Sequence, residues 1–306
     1  MKLIAPIPIT DQVMAASTLS ESDSVDAPLW TTGAKTVGQR VRRPDHRIYE
    51  CVVAHSATAA STDYPENNLT GASAKWILVR PTNLFAAFDS VMNTASVADS
   101  EVLSWTLTPG VRVDSVALFG VYASSVRVRV TLPDGSVKYD QTQNLRLRNC
   151  RTFTEWFFKP VSFRRDVSFT DIPAYRNAIF EVIVSWPGNL PQVGEVQIGR
   201  FDFLGNVQWK PSVRTVDYSK VETDQWGGTK FTPRRAVRVV EYDLFVENES
   251  VDEVIRLLTS AKSSPRAWLG SPKFGALNLF GFAQDFQIVV DGPAGSFLNL
   301  QIQELT

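Results

Sequence analysis

The chain has 306 residues, 44% of them apolar and 21% charged, enough for two or three domains with real cores. Its 31 Lys and Arg against 32 Asp and Glu leave a net charge of −1, which excludes a global attraction to nucleic acid or to an anionic membrane but leaves room for local patches. No apolar run approaches the ~18–20 residues that cross a bilayer, so no membrane span is expected.

The first residues, MKLIAPIPITDQVMAA, carry one Lys and a short apolar stretch broken by Pro6 and Pro8. A secretory signal needs a continuous apolar core, so none is expected. HRIYECVVAH (46–55) holds both histidines, one of two cysteines and a Glu. Its β-branched and aromatic residues read as a strand. Four residues of strand put Cys51 and His55, or His46 and Glu50, roughly 13 Å apart, too far to share one metal ion or to pair nucleophile with base. No metal, cofactor or catalytic residue is expected. Cys51 and Cys150 are expected as free thiols.

AHSATAASTDYPENNLTGASAKW is polar and small, hence a long loop. Trp30, Gly38, Val41, Tyr49, Pro65 and Trp76 follow a spacing that resembles the small chitin- and cellulose-binding modules of families 5 and 12 over residues 28–80. That resemblance implies a three-stranded unit with Trp30, Tyr49 and Trp76 as a sugar-stacking platform. The chain departs from the family at Gln39, where an Asp is usual, and lacks an aromatic near Lys35. The competing reading makes the three aromatics the core of a module too small to fold otherwise, and the size argument favours it.

In VRVRVTLPDGSVKYDQ (126–141), Val126, Val128, Val130 and Leu132 alternate with polar residues ahead of a Pro-Asp-Gly turn, which predicts a hairpin with one buried face. Residues 178–188, 193–205, 235–248 and 285–293 read as further strands. Asp166, Asp171, Glu181 and Glu195 are candidate acids, but a glycosidase needs two of them about 5–9.5 Å apart, and nothing in the sequence brings a pair together. Basic clusters at 40–43, 146–151, 163–165 and 233–235 suit subunit contacts better than nucleic acid, since no nucleic-acid-binding motif accompanies them. "WGG" at 226–228 reads as a turn.

One helix is predicted over 251–262. Ser250 and Glu253 have capping-box spacing; Val251, Val254, Ile255 and Leu258 form an apolar stripe; Pro265 ends it. The stripe is expected against strands near 236–246 and 285–290.

The fold class expected is mainly β: an N-terminal arm and small three-stranded module (1–80), a jelly-roll-like β-sandwich (81–205), and a C-terminal β domain with one packed helix (206–306). The C-terminal block, from VDYSKVETDQWGGTKF through PRAWLGSP to LNLFGFAQDFQIVVDGP and LNLQIQEL, resembles a recurring segment of tailed-phage tail proteins. VRPTNLFAAFDSVMNT (79–94) is similar to a phrase in the same proteins. The resemblance implies a virion protein of the tail tip or baseplate, not an enzyme, made in the host cytoplasm. It implies a tail-tube or distal-tail type of C-terminal domain, and a central sandwich of the galactose-binding kind. The partners it implies are copies of itself in a ring or other symmetric oligomer, other tail proteins (tube, hub, tape measure or fibres), and a host surface glycan.

Overall fold

The computed structural model describes residues 1–71, 74–147, 150–262, 264–272, 274–293 and 295–305. Part of the basic cluster 146–151 lies outside them. The chain is mainly β, with 46% strand and 12% helix.

Two strands come first, β1 (Lys2–Pro6) and β2 (Met14–Ser17). The module contributes β3 (Arg40–Arg42), β4 (Arg47–Cys51) and β5 (Trp76–Pro81), a three-stranded antiparallel sheet in that order. The central segment supplies β6 (Val102–Leu107), β7 (Ser115–Phe119), β8 (Ser125–Thr131) and β9 (Val137–Asn144). A short helix, α1 (Phe153–Phe158), precedes β10 (Val167–Phe169), β11 (Ile179–Ser185) and β12 (Glu195–Phe203). The last block has β13 (Ser212–Asp217), β14 (Lys220–Thr223), β15 (Thr229–Thr232) and β16 (Ala236–Val246). It ends with α2 (Val251–Ala261), β17 (Arg266–Leu269), β18 (Asn278–Val290) and β19 (Ser296–Glu304).

β8 and β9 pair as the expected hairpin, with Val126, Val128 and Val130 fully buried. They belong to a five-stranded sheet, β9–β8–β11–β6–β2. Its inner residues, among them Leu103, Trp105, Phe180 and Val182, share one core with Val116 and Leu118 of β7, Val196 and Ile198 of β12 and Phe169 of β10. Alternation of apolar and polar side chains puts one face of each strand into that sandwich.

The second sheet runs far beyond the sandwich. Its order is β10–β7–β12–β1–β17–β18–β19–β16, ten strands once β13 and the two-residue strand Asn206–Val207 on the far side of β16 are included. β1 is the stitch between the blocks. It pairs antiparallel with β12 along Lys2 to Pro6 and with β17 at Lys2 and Leu3. The first nineteen residues therefore belong to the sandwich and its seam: β2 edges the five-stranded sheet, and Leu19 joins the sandwich core. Backbones approach closely at the stitch, where a Cβ on Gly199 would fall 2.0 Å from the Ala5 carbonyl oxygen. Ile4 shares a small junction cluster with Ala117 and Phe119 of the sandwich and with Ala267, Leu269 and Phe280 of the last block.

α2 lies on the C-terminal sheet as its periodicity predicts. Val254, Leu258 and Ala261 are buried with Val240, Leu244, Ala283, Leu298 and Leu300, while Val251 is half-buried. Two details differ from expectation. Ile255 points to solvent, because a short helix on a sheet buries a narrow stripe. The capping box does not form, because Asn248–Ser250 makes a 3-10 turn that draws Ser250 into the helical region and leaves its hydroxyl without a cap bond. Leu258→Ala is expected to cost about 2–5 kcal/mol in denaturant unfolding. Ser250→Ala, with no cap to lose, should stay within about 0.5 kcal/mol.

Candidate functional site

The sugar platform implied by the module resemblance is corrected by burial. Tyr49 and Trp76 are fully buried and form the module core with Val41 and Cys51. The Tyr49 hydroxyl donates to Asp45. Trp30 is half-buried against that core, its ring already occupied: the Arg43 guanidinium lies 5.1 Å from its centre, Lys35 Nζ 5.8 Å, and the Tyr64 ring meets it at 5.2 Å in a T-shaped contact. Arg43 is itself held by Glu66 through bonds of 3.1 and 2.9 Å. A module of some fifty residues spends its large aromatics on its own core, so none of the three is left as a stacking surface.

The His/Cys stretch also departs from its reading as one strand. β4 ends at Cys51, the chain bends, and His55 Nδ1 returns to 3.8 Å from Cys51 Sγ. The pair is still not a nucleophile with its base. The thiol is buried, donates to the Val53 carbonyl at 3.2 Å, and is pushed up by desolvation. His55 Nδ1 lies 2.8 Å from the same carbonyl, so that nitrogen carries its proton and cannot accept one. Both cysteines are free thiols, Cys51 buried and Cys150 exposed. His46 stacks on Phe85 at 4.1 Å, with Nδ1 2.7 Å from Glu21 and Nε2 near Asp11, an arrangement that ties the arm to the module.

The candidate acids lie in separate settings. Asp171 accepts from the Tyr139 hydroxyl at 2.7 Å, and Glu181 sits 3.9 Å from Arg129. Asp166 belongs to the seam: Arg238 of β16 binds it at 2.9 Å and also binds Glu304 of β19. Burial raises the Asp166 carboxyl against the pull of Arg238, and the bonds to Glu304 hold the guanidinium firmly protonated. Around this cluster opens a cleft of about 730 Å³ between the sandwich and the last block. Arg165 covers the Tyr122 ring at 3.7 Å on one wall, and Arg235 bonds Asn93 on the other.

Glu195 is buried beneath the cleft, accepting from Ser90 N at 3.0 Å and from the Gln197 amide. Desolvation raises its carboxyl well above the ordinary range, and neighbouring Asp89 adds to the rise. The folded state thus keeps a proton that the unfolded chain releases. The associated stability is full below the unfolded carboxyl range and falls as pH rises through the elevated folded value. Urea midpoints should accordingly fall as pH rises from the ordinary carboxyl range through the elevated folded value, and Glu195→Gln, which no longer titrates, should flatten much of that slope.

Sequence reasoning passed over the most exposed structure in the last block. β14 and β15 form an isolated hairpin around the Trp-Gly-Gly turn. From Lys220 to Ala236 every residue is exposed. Trp226 at the tip is 86% accessible, and Trp209, just before β13, is 91%. Asp224 shapes the turn, accepting from the backbone of Trp226 at 2.9 Å and of Gly228 at 2.7 Å. Among the described residues β13 pairs only with β16, so its outer edge presents unpaired backbone groups. The signal was legible: Val221 and Phe231 sit opposite each other across a Gly-Gly turn, with a Trp and nothing apolar nearby to cover it.

No protein-family model matches the chain, and no curated protein matches it.

Proposed function

We propose that this chain is a structural component of a bacteriophage tail tip or baseplate. In this reading it forms a ring or other symmetric oligomer and joins other tail proteins, connecting the tube to the host-contacting parts. Its place is the virion tail, and its role is not catalytic. The observation that carries the reading is the open β13 edge continuing into a fully exposed hairpin tipped by Trp226. Large exposed aromatics mark contact surfaces, and a free strand edge offers main-chain hydrogen bonds to a partner. The hairpin carries charges of both signs, such as Lys220 beside Glu222 at 2.5 Å, which suits a protein surface. The resemblance of residues 216–305 and 79–94 to tail proteins points the same way.

Replacing residues 219–233 by a two-residue turn should convert the oligomer to a monomer in native mass spectrometry while leaving the unfolding midpoint near that of the parent. A parent chain that is monomeric and absent from purified particles would overturn the proposal.

A host-glycan binder is the second reading, and the cleft favours it over the module. Tyr122, capped by Arg165, and the amides of Asn93 and Gln192 line a volume large enough for a saccharide. Glycan binding that survives Tyr122→Ala would remove it.

A further inference from the structure

The segment between β9 and β10 leaves the sandwich as a stalk with a tip. Leu145 is buried and fixes its base, donating to the Ser124 carbonyl at 2.9 Å and accepting from Arg164 N at 2.8 Å. Above it, Arg146–Leu147 pairs antiparallel with Ser162–Phe163. α1 forms the tip. Thr152 caps it by accepting from Glu155 N at 3.2 Å, and the Glu155 carboxylate reaches back to Arg151 N at 2.7 Å. A reciprocal cap of this kind fixes the helix start, so the tip is a built element.

Its composition is unlike that of the rest of the molecule. Phe153 and Phe158 are each 82% accessible, Phe157 66% and Trp156 55%. Phe153, Trp156 and Phe157, at i, i+3 and i+4, share one side of α1, with ring centres 6.3 Å apart for Phe153–Phe157 and 4.9 Å for Trp156–Phe157; Phe158 extends the aromatic surface beyond it, and α1 contains no buried residue. Residues 145–165 hold six Lys or Arg and a single acid, in a chain whose total charge is −1. That acid, Glu155, is the one engaged by the helix start. Among the described basic residues of the stalk, Arg146, Arg151, Lys159 and Arg164 are exposed and flank the aromatic tip.

We infer that this stalk is a membrane-contact device: α1 inserts its aromatics into the headgroup region of an anionic bilayer, and the basic residues at its base meet the lipid phosphates. An aromatic face carried on a projecting stalk and flanked by exposed cations fits the surface of an anionic bilayer, where an interfacial helix buries its apolar face and leaves its charges at the phosphates. Interfacial helices bury their apolar face ~5–10 Å into the headgroup boundary. Trp and Phe favour that depth, and Lys and Arg extend from it toward water and phosphate. The charge excess is local and of the sign that anionic lipids attract. The balanced charge of the β14–β15 hairpin sets it apart from the stalk, so the two projections serve different partners.

The test is flotation of the full chain with vesicles of about one-third phosphatidylglycerol and with neutral phosphatidylcholine vesicles. Partition onto the anionic vesicles should exceed that onto neutral ones by about tenfold or more, and should collapse in molar salt. The double variant Trp156→Ser, Phe157→Ser removes only exposed side chains and should keep the parent's unfolding midpoint while losing about tenfold in partition. Arg146→Glu with Arg164→Glu should abolish the preference for anionic lipid. Bromine-labelled acyl chains should quench part of the parent's Trp fluorescence, a readout that needs no variant. Failure of the parent to bind, equal binding to both vesicles, or a Trp156/Phe157 variant that binds like the parent overturns the inference. So does self-association abolished by that variant without any vesicle binding, which would assign the tip to a second copy of the chain.

Discussion

Ile4→Asp is expected to split the calorimetric unfolding of this chain into two transitions. Ile4 is fully buried where the sandwich and the last block meet, on the strand that pairs with both. A carboxylate there has no cation within its cluster, and an uncompensated buried charge costs about 3–5 kcal/mol. That cost falls on the seam, because the sandwich core and the helix-bearing core keep their own side chains. Polar side-chain contacts that remain across the seam include Arg238 with Asp166 and Arg235 with Asn93. A single transition with an unchanged midpoint would show that β1 does not couple the blocks.

Trp268→Ala should be the most damaging single truncation in the last block, at about 3–5 kcal/mol in denaturant unfolding. The ring is fully buried in β17, and its Nε1 donates to the Gly281 carbonyl at 2.9 Å. Truncation leaves a cavity and deprives that carbonyl of its side-chain donor. Trp226→Ala is the control: the same change at an exposed tip should alter stability by no more than about 0.5 kcal/mol. Equal losses at the two positions would contradict the burial assigned here.

What the sequence made legible was periodic and local. The Val126–Val128–Val130 alternation produced its hairpin, and the stripe at Val254 and Leu258 produced its helix against the anticipated strands. The two aromatics of the module that are wholly core, Tyr49 and Trp76, were anticipated as core by the size argument, with the sugar platform as the rival. Illegible features depended on distant partners or on one dihedral angle. MKLIAPIP has strand-like residues but two prolines and no alternating run, and only neighbours near 200 and 268 make it a strand. The Ser250 cap failed on backbone torsion, while an equivalent cap formed at Thr152, just past a stretch singled out only for its arginines. Cys51 and His55 met because the strand stopped at residue 51, where a composition-based reading ran on. Exposure of the aromatics at 153–158 and 226 was hidden for a simpler reason: a sequence states that a residue is apolar, not whether anything covers it.

The stitch at β1 also sets a timetable. During synthesis residues 2–6 leave the ribosome well before their partners, residues 199–203 and 268–269. At ~5–20 residues per second, the second partner follows after roughly ten to fifty seconds. Until then β1 can pair with β12, but its other edge stays open, and Leu3 and Ile4 lack their apolar neighbours in the last block. Residues 2–6 are thus among the last to complete their pairing, and the nascent protein spends that interval with an adhesive sheet edge that a chaperone or a neighbouring copy can reach.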